Sequence, residues 1–544
     1  MHFLDAETRR ELGFEAIWLR IRPVSPLGRA LQREAQAFLP EQKAELEDAW
    51  HRLEQAVHCL RRQPAAGEGL LHSLSQLKDI SGIIARSARG ETLDDVELYE
   101  VKKLLHLAEE VQGELHRLGW APLLPVPLDV CTPCREDLSV GQGGELSFYL
   151  ADAYDELLAA ARRRRRFLEE RLAELRSRVD AQVWAAAGRG LSSEDEITVS
   201  SRDQSALAEL EKVPDLVRIQ ETEGFVTFRW VDRGEGAQLR GELAAVRSQE
   251  EERKAAVRAE LSRVVGAHAP RLLRILEILG FLDFLLAKAR FCLEMQGVKP
   301  SLAGEECLVI RGGRHLLVEE EVRQAGGVYC PLSLELRPGV TVITGPNMGG
   351  KTVTLKTIGL LVAMAQYGLL VPAQSMTFKP RRFLRAHLPS SQGMPGLSRF
   401  AREVFFVREV LPYSGEPGLI LLDELAQSTS PGEGAAVAQA VVERLRAAPA
   451  MTVLATHYSC LTQIEGVVHY RVRGLDKEQL QKEVLPLSAW NLEALQRFMD
   501  YTLEQAAPGD VGPSDAVFVA EALGVEPGVI ARAKALQRSE DGGQ

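Results

Sequence analysis

Cysteine is scarce in this sequence, with seven residues among 544. Only Cys131 and Cys134 are closely spaced, so the chain lacks the dense cysteine pattern of a disulfide scaffold. A zinc ion usually takes four protein ligands, and a single CxxC motif supplies two of them. The pair is therefore interpreted either as part of a zinc site or as two thiols in a loop beside Pro133.

Long hydrophobic runs are also lacking. The strongest ones, residues 276–287 and 358–365, are shorter than the roughly 20 residues that cross a bilayer. The first five residues, MHFLD, do not have the basic and apolar segments of a secretory leader. We therefore expect a cytoplasmic protein with no membrane partner.

Positive charge is not in excess. The sequence has 65 Lys and Arg residues and 76 Asp and Glu residues, which gives a net charge of −11. This excess of negative charge argues mildly against nucleic acid as a binding partner. Hydrophobic residues make up 45% of the chain, the proportion of an ordinary globular protein, which excludes intrinsic disorder. At roughly 150 residues per domain, the length predicts about three or four domains.

Helical periodicity and breaks in composition predict a multidomain chain. Apolar residues recur at helical spacing up to about Gly119, and the prolines and glycines that follow cannot continue a helix. Beyond Gly297, short β-rich runs alternate with helical segments, which is typical of a mainly parallel α/β sheet; these runs are residues 307–310, 332–336, 340–343, 419–422 and 451–455. The predicted domains are an all-α N-terminal core and lever (1–119), a connector (120–150), a projecting helical arm with a small β tip (151–266), lever helices (267–297) and a C-terminal α/β domain with a C-terminal helical extension (298–544).

The predicted arm contains a dense cluster of positive charge. Five consecutive arginines spread around the whole circumference of a helix, so they cannot all belong to one buried stripe. Glu169, Glu170 and Glu174 on the same helix are too few to neutralise them fully. The cluster is interpreted either as a solvated face with helical ion pairs or as a phosphate contact to nucleic acid. These candidate DNA-binding residues are Arg162, Arg163, Arg164, Arg165 and Arg166.

A glycine-rich loop joins a predicted strand at 340–343 to a predicted helix at 353–367. The loop matches GxxxxGK[ST], in which backbone N–H groups and the start of the following helix bind phosphate. Lys351 is expected at the β and γ phosphates, and the hydroxyl of Thr352 is expected to bind Mg²⁺. The candidate ATP-binding residues of this loop are Gly345, Pro346, Asn347, Met348, Gly349, Gly350, Lys351 and Thr352.

Two further predicted strands, 419–422 and 451–455, are followed by polar residues. Asp423 and Glu424 come after the first, at the edge where α/β sheets bind their ligands. Asp423 is expected to hold Mg²⁺ and Glu424 to polarise the attacking water, although an aspartate at a strand end can also cap a helix. His457 comes shortly after the second strand and is expected to contact the γ-phosphate.

These motifs resemble the ATPase domain of the MutS family, in which Pro-Asn-Met precedes the Gly-Gly-Lys of the nucleotide loop. The segments that carry this resemblance are residues 344–352, 421–424 and 456–457. The segments similar to the core and lever region of the second bacterial branch of the family are residues 25–29, 267–273 and 282–289. The resemblance implies an ABC-class ATPase that uses ATP and Mg²⁺. It also implies a homodimer in which Ser398 of one subunit reaches the nucleotide of the other.

Several positions depart from the family pattern. Phe14 and Glu15 are adjacent in a predicted helix, whereas the mismatch reader of the family has one residue between them. The residues after His457 are too few for the Smr nuclease domain, so no nuclease activity is expected. In the family, a Ser-Thr-Phe signature loop faces the nucleotide of the opposing subunit; here that loop has Arg399 in place of the threonine. Residues 425–431, which follow the two acids, lack the glycine-rich sequence of the second branch. We therefore expect dimer-coupled hydrolysis to be slower or gated differently.

A second resemblance leaves open whether the ATPase acts on DNA or on a protein. Short motifs are similar to MutS-related ATPases that accompany adenosylcobalamin-dependent aminomutases and reactivate them. These motifs are residues 148–149, 329–339, 473–475 and 499–501. The sequence therefore predicts an ATP-dependent clamp on DNA of unusual structure, without mismatch reading or nuclease activity. The alternative is a reactivase whose client is an aminomutase.

Overall fold

The computed structural model describes residues 2–142, 147–231, 233–346, 349–388, 399–476, 498–510, 516–522 and 524–541. The chain forms two compact units, and each is discontinuous in sequence. The first unit consists of Met1–Gln76, Arg117–Pro125 and Leu279–Gln544, and the second consists of Leu77–His116 and Val126–Ile278. These units group residues by proximity, and the linear boundaries drawn from the sequence stay a prediction.

Helices occur in both units, and strands form three separate sheets. The helices are α1 (Ala6–Glu11), α2 (Phe14–Trp18), α3 (Pro26–Glu34), α4 (Lys43–Arg62), α5 (Pro64–Ser75), α6 (Ser81–Ala88), α7 (Asp95–Leu118), α8 (Thr132–Asp137), α9 (Glu156–Ala187), α10 (Gln204–Leu210), α11 (Glu235–Ala267), α12 (Ala269–Glu294), α13 (Leu316–Gln324), α14 (Lys351–Gln366), α15 (Arg399–Val410), α16 (Pro431–Leu445), α17 (Ala516–Ala522) and α18 (Pro527–Asp541). The strands are β1 (Glu196–Ser200), β2 (Leu216–Glu221), β3 (Phe225–Trp230), β4 (Ser301–Leu302), β5 (Leu308–Gly313), β6 (Leu332–Leu336), β7 (Gly339–Thr344), β8 (Ser375–Phe378), β9 (Leu384–His387), β10 (Leu419–Asp423), β11 (Met451–Ala455), β12 (Val468–Leu475) and β13 (Met499–Gln505).

Two long helices, α9 and α11, pack against each other in the second unit. They contain 32 and 33 residues, so each is roughly 50 Å long at 1.5 Å per residue. α9 begins where the side chain of Asp155 accepts hydrogen bonds from the N–H groups of Leu157 and Leu158. It ends at Gly188, whose left-handed φ of 65° stops the helix.

A three-stranded antiparallel sheet, in the order β1-β3-β2, connects the two long helices. Val226, Phe228 and Trp230 of β3 are buried and belong to the same hydrophobic cluster as Val179 of α9. Alternating residues at 197–200 and 224–231 predict β1 and β3, but the pattern misses β2, because only the first residue of β2, Leu216, is buried. This sheet therefore has a small core of its own.

The first unit contains a six-stranded sheet in the order β13-β12-β7-β11-β10-β9. Its neighbouring strands are parallel except for β13, which runs antiparallel to β12. β7, β10 and β11 are buried along their whole length, as expected for a parallel sheet with both faces covered. Helices α14 and α16 pack against these strands. This sheet agrees with the mainly parallel α/β sheet predicted for the C-terminal region.

Two strands expected in that sheet belong to another one. β5 and β6, predicted at 307–310 and 332–336, pair antiparallel with each other in a four-stranded sheet of order β4-β8-β5-β6. The expectation of one mainly parallel sheet for the whole region is therefore wrong for these two runs. Hydrophobic spacing predicts that a segment is a strand, but the partner of the strand depends on distant parts of the chain.

The two longest apolar runs lie inside helices of the core. Residues 276–287 belong to α12 and residues 358–365 belong to α14, where the side chains are almost all buried. Within the described part of the chain, no helix is both long enough and apolar enough to cross a membrane.

Candidate functional site

The glycine-rich loop lies between β7 and α14, where its spacing predicts it. Gly345 and Gly350 have φ angles of 148° and 81°, which glycine adopts without the steric cost of a side chain. Gly350 directly precedes Lys351, the first residue of α14, so the free N–H groups of the first helical turn lie at the loop. A Cβ atom at Gly350 would lie 3.2 Å from the ring of Tyr501, on β13.

The structure describes only some of the other residues that are predicted to bind the nucleotide. The N–H of Gly349 donates to the carbonyl of Pro346 at 3.0 Å, which closes the loop on itself. Asn347, Met348 and Ser398 lie outside the described residues. Their roles stay predictions.

Lys351 is buried, and its ammonium group faces the loop. Its Nζ donates to the carbonyl oxygens of Gly345 at 2.9 Å and Pro346 at 3.1 Å. The same Nζ lies 3.0 Å from Nε2 of His457. Burial lowers the pKa of Lys351, and two nearby carboxylates oppose that shift. The positive charge is thus held at the mouth of the loop.

Thr352 and Asp423 form a pair of oxygen donors beside the lysine. The hydroxyl of Thr352 donates to Oδ2 of Asp423 at 2.5 Å. Asp423 is the last residue of β10 and is buried. Hydroxyl and carboxylate oxygens are ligands that Mg²⁺ prefers, and this ion usually takes few protein ligands and completes its shell with phosphate and water. The chemistry of the pair therefore fits a magnesium ion.

Glu424 and His457 face each other from neighbouring strand ends. Glu424 has a left-handed φ of 58°, and its N–H donates to the carbonyl of Ala455 at 2.8 Å. Oε1 of Glu424 lies 3.4 Å from Nε2 of His457. Burial and the charge of Lys351 lower the pKa of His457, whereas Glu424 raises it. The imidazole of His457 thus lies between the ammonium group of Lys351 and the carboxylate of Glu424.

The register of three parallel strands brings these groups together. Ala455 of β11 is aligned with Ile343 of β7 on one side and with Asp423 of β10 on the other. The carboxyl ends of the strands thus meet at one edge, where α/β sheets bind their ligands. The candidate residues that the structure brings together there are Lys351, Thr352, Asp423, Glu424 and His457.

The turn after Glu424 involves two residues that the sequence does not single out. The backbone of Ala426 is bound by the side chains of Glu403 and Tyr458. Tyr458 directly follows the predicted His457, which is the one sequence signal that could have drawn attention to it. Glu403 lies on α15, and no local pattern marks it.

The arginine cluster of α9 is partly paired with acidic residues of α11. Arg162 and Arg165 contact the buried Glu250 at 3.4 Å and 2.8 Å, and Arg164 contacts Glu242 at 2.5 Å. The acids of α9 are therefore not the only ones beside the cluster, because α11 supplies carboxylates that are remote in sequence.

Arg163 and Arg166 differ from the other three. Both are exposed, and within the described ranges neither has an ion pair. The one hydrogen bond of the Arg166 side chain there is a donation from Nε to the carbonyl of Arg162 at 3.4 Å. These two guanidinium groups are the ones available to an anionic partner.

Cys131 and Cys134 are free thiols, and both are buried. They lie at the start of α8, where Cys131 has a left-handed φ of 47°. The part of the chain that the structure describes contains no group of three or more His, Cys, Asp or Glu side chains able to hold a metal ion. The pair therefore lacks further zinc ligands among those residues.

A parallel sheet whose strand ends carry a glycine-rich loop, a Lys-Thr pair and two acids defines a P-loop nucleotide-binding domain. Residues 341–539 match the family model of MutS domain V. The matched part of the chain is a P-loop ATPase domain of the MutS type.

Three relatives share the name Endonuclease MutS2. The chain is 30% identical to the protein of Pelotomaculum thermopropionicum, over 85% of this chain and 56% of that protein. It is 29% identical to that of Symbiobacterium thermophilum, over 98% and 63%, and 27% identical to that of Staphylococcus aureus strain Mu3, over 86% and 58%. The chain thus spans between 56% and 63% of the length of these relatives. They confirm the MutS resemblance, and they do not support the reactivase alternative.

Proposed function

We propose that this chain binds ATP with Mg²⁺ at the candidate site and hydrolyses it to drive a conformational change in a dimer. The observation that carries the proposal is the meeting of Lys351, Thr352, Asp423, Glu424 and His457 at the carboxyl ends of adjacent parallel strands. The match of residues 341–539 to MutS domain V supports the same conclusion.

Each side chain has a task that follows from its chemistry. The first turn of α14 directs N–H groups at the phosphates, and Lys351 compensates the negative charge of the β and γ phosphates. Glu424 accepts the proton of the attacking water. His457 contacts the γ-phosphate as charge moves towards the leaving group. Catalysis of this kind rests on positioning and charge stabilisation rather than on covalent chemistry.

The metal ion has two candidate ligands. A magnesium ion bound with the nucleotide neutralises phosphate charge. Thr352 and Asp423 would hold it, since their oxygen atoms lie on adjacent elements and already face each other. Asp423 is the last residue of β10 and Glu424 follows it. Two neighbouring residues at one strand end would therefore bind the metal ion and activate the attacking water.

We also propose that a second copy of the chain completes the site. The family resemblance assigns Ser398 to the nucleotide of the opposing subunit, and α15 begins at the next residue, Arg399. In several classes of phosphate-transferring ATPases and GTPases, a residue supplied by a partner stabilises the transition state. A homodimer would therefore contain two shared nucleotide sites.

DNA of unusual structure is the proposed client. The relatives carry the name endonuclease, and an endonuclease acts on nucleic acid. Arg163 and Arg166 are exposed on α9 and suited to phosphate contacts, which bind without reading sequence. Phe14 is fully buried against Trp18 and Tyr367, which supports binding without mismatch reading at this position. The name endonuclease, which refers to cleavage, is that of the longer relatives. For this chain we propose DNA binding that is controlled by ATP.

Two substitutions test the ATPase proposal by separating binding from hydrolysis. Lys351→Ala is expected to abolish binding of a fluorescent ATP analogue, because the phosphate charge loses its compensation. Glu424→Gln is expected to keep that binding and to lower the hydrolysis rate about 100-fold or more. Glu443→Gln, an exposed site on α16, is the control and should resemble the wild type in both measurements. Hydrolysis by Glu424→Gln at the wild-type rate would exclude Glu424 as the group that activates water.

A further inference from the structure

We propose that Glu403 and Tyr458 are positioning residues for hydrolysis, because they hold the N–H and the C=O of Ala426 and thereby fix the turn that orients Glu424. The inference rests on the proposed role of Glu424 as the acceptor of a proton from water. It adds a physical connection between that acid, helix α15 and the segment that follows His457.

The backbone of the turn after β10 has an uncommon conformation. Glu424 and Ala426 have φ angles of 58° and 61°, in the left-handed region that side chains other than glycine rarely adopt. Such conformations persist only where the surroundings hold them, and they cluster at functional sites. The N–H of Gln427 donates to the carbonyl of Glu424 at 3.3 Å. The direction of the Glu424 side chain therefore depends on the contacts that hold Ala426.

Ala426 is fully buried, and side chains from two other segments bind both of its backbone polar groups. Its N–H donates to Oε2 of Glu403 at 2.7 Å, and its carbonyl accepts from the hydroxyl of Tyr458 at 3.1 Å. The other carboxylate oxygen of Glu403 accepts from the hydroxyl of Ser428 at 3.4 Å. Glu403 itself is 1% exposed. Removing either side chain would leave a buried backbone group without its partner, which favours relaxation of the turn.

The two side chains come from the elements on which dimer-coupled hydrolysis would depend. Glu403 lies on α15, whose first residue is Arg399 of the signature loop. Tyr458 is adjacent to His457, which itself lies 3.4 Å from Glu424. A displacement of α15 by a second subunit would therefore reach Glu424 through Ala426. This route gives a physical reason why hydrolysis would respond to dimer formation.

Helix α16 leaves the turn little freedom to rearrange. A Cβ atom at Gly434 would lie 2.3 Å from the carbonyl oxygen of Ala426 and 2.4 Å from the hydroxyl of Tyr458. The helix can approach this closely only because residue 434 is a glycine. Close packing on this side favours a single arrangement of the two hydrogen bonds.

Tyr458→Phe tests the carbonyl contact, because it removes one hydroxyl and keeps the ring. We expect the single-turnover rate of ATP hydrolysis to fall about tenfold or more, as a small displacement of a catalytic group does. The dissociation constant for ATP should stay at its wild-type value, and the midpoint of thermal unfolding should fall by only a few degrees, because one buried carbonyl loses its partner. Tyr413→Phe removes the hydroxyl of a partly exposed tyrosine near the end of α15 and should leave the rate unchanged.

Two substitutions at Glu403 test the amide contact. Glu403→Ala should lower the single-turnover rate, and Glu403→Gln should recover most of the loss, because the glutamine oxygen can still accept from the N–H of Ala426. Glu409→Gln, on an exposed position of the same helix, is the control. The rate losses of Glu403→Ala and Tyr458→Phe should not add in the double variant, since both act on one turn.

An unchanged hydrolysis rate in Tyr458→Phe would overturn the proposal. Equal losses of rate, ATP affinity and thermal stability would also overturn it, because they would identify a role in folding alone. Failure of the underlying ATPase proposal would look different: wild type and Lys351→Ala would then be equally unable to bind and hydrolyse ATP.

Discussion

Nζ of Lys351 and Nε2 of His457 lie 3.0 Å apart, although 106 positions separate the two residues in the chain. An ammonium group can only donate hydrogen bonds, so this contact requires an Nε2 atom without a proton. Burial and the charge of Lys351 lower the pKa of His457, which is consistent with a neutral ring. Phosphate oxygens that enter the site would compete with the imidazole for the ammonium group.

His457→Ala is expected to lower kcat for ATP hydrolysis by about ten- to a hundredfold, because the γ-phosphate loses a positioned contact. ATP binding should change little, since Lys351 keeps its two contacts with loop carbonyls. Phosphate release at varied ATP concentrations gives kcat and KM separately. His72→Ala, at an exposed position of α5, is the control. A raised KM with an unchanged kcat would contradict the proposed role.

Thr352→Ala is expected to raise the Mg²⁺ concentration needed for half-maximal hydrolysis by about tenfold or more, because one oxygen ligand is lost. Thr352→Ser keeps the hydroxyl and should stay close to the wild type. Chelation with EDTA should stop hydrolysis, and added Mg²⁺ should restore it. The same Mg²⁺ dependence in Thr352→Ala and wild type would remove this residue from the metal site.

Ser398→Ala and Arg399→Glu test the shared site. In the Glu424→Gln background, which should trap bound ATP, both substitutions are expected to reduce the dimer fraction measured by light scattering. Binding of ATP to the monomer should stay nearly intact, because the signature loop acts on the nucleotide of the other subunit. A dimer fraction that neither substitution changes would exclude this assignment of the loop.

Two double variants with the same loss of charge test the DNA contact. Arg163→Gln/Arg166→Gln removes the two exposed guanidinium groups, and Arg164→Gln/Arg165→Gln removes two that are paired with acids of α11. The first should weaken binding to all DNA sequences alike and reduce the slope of log K against log salt by up to roughly 0.9 per lost contact. The second should leave that slope unchanged and instead destabilise the contact between α9 and α11.

Fluorescence anisotropy with branched and linear DNA over a range of salt concentrations measures these slopes. Absence of DNA binding by the wild type at low salt, where the electrostatic attraction is strongest, would rule out DNA as the client. Recovery of turnover by an inactivated aminomutase, on addition of this protein and ATP, would then be the test of the reactivase alternative.

The buried carboxyl group of Glu11 is expected to make the stability of the folded chain depend on pH. Burial raises the pKa of its carboxyl from 4.5 to about 8, against a hydrogen bond from the N–H of Leu388. Between these two values the folded chain keeps a proton that the unfolded chain has released. The free energy of unfolding therefore decreases as pH rises from about 4.5 to about 8. Glu11→Gln keeps an acceptor for Leu388 and should become more stable than the wild type by about 1–3 kcal/mol near pH 8.5. Denaturant unfolding of both proteins at pH 5 and 8.5 measures the difference, and a pH-independent difference would contradict the prediction.

The P-loop could be predicted from the sequence because its determinants are local. A buried strand, a glycine turn and a helix that begins at Lys351 follow one another within a short segment. The acids at the end of β10 and the histidine after β11 could also be predicted, because parallel strands present their carboxyl ends at the same edge. Strands β12 and β13 on one side of the sheet and β9 at its other edge were missed, and so was the role of β5 and β6 in a second sheet.

The sequence by itself determined the class of the nucleotide site, since backbone conformation at a glycine and the start of a helix depend on near neighbours. Only the tertiary structure decided which charges are neutralised and what holds the turn after the acids. Arg165 is paired with Glu250, 85 positions away, and Ala426 is held by Glu403 and Tyr458 from two other segments. Such contacts follow from the packing of distant segments, and no local spacing of residues encodes them.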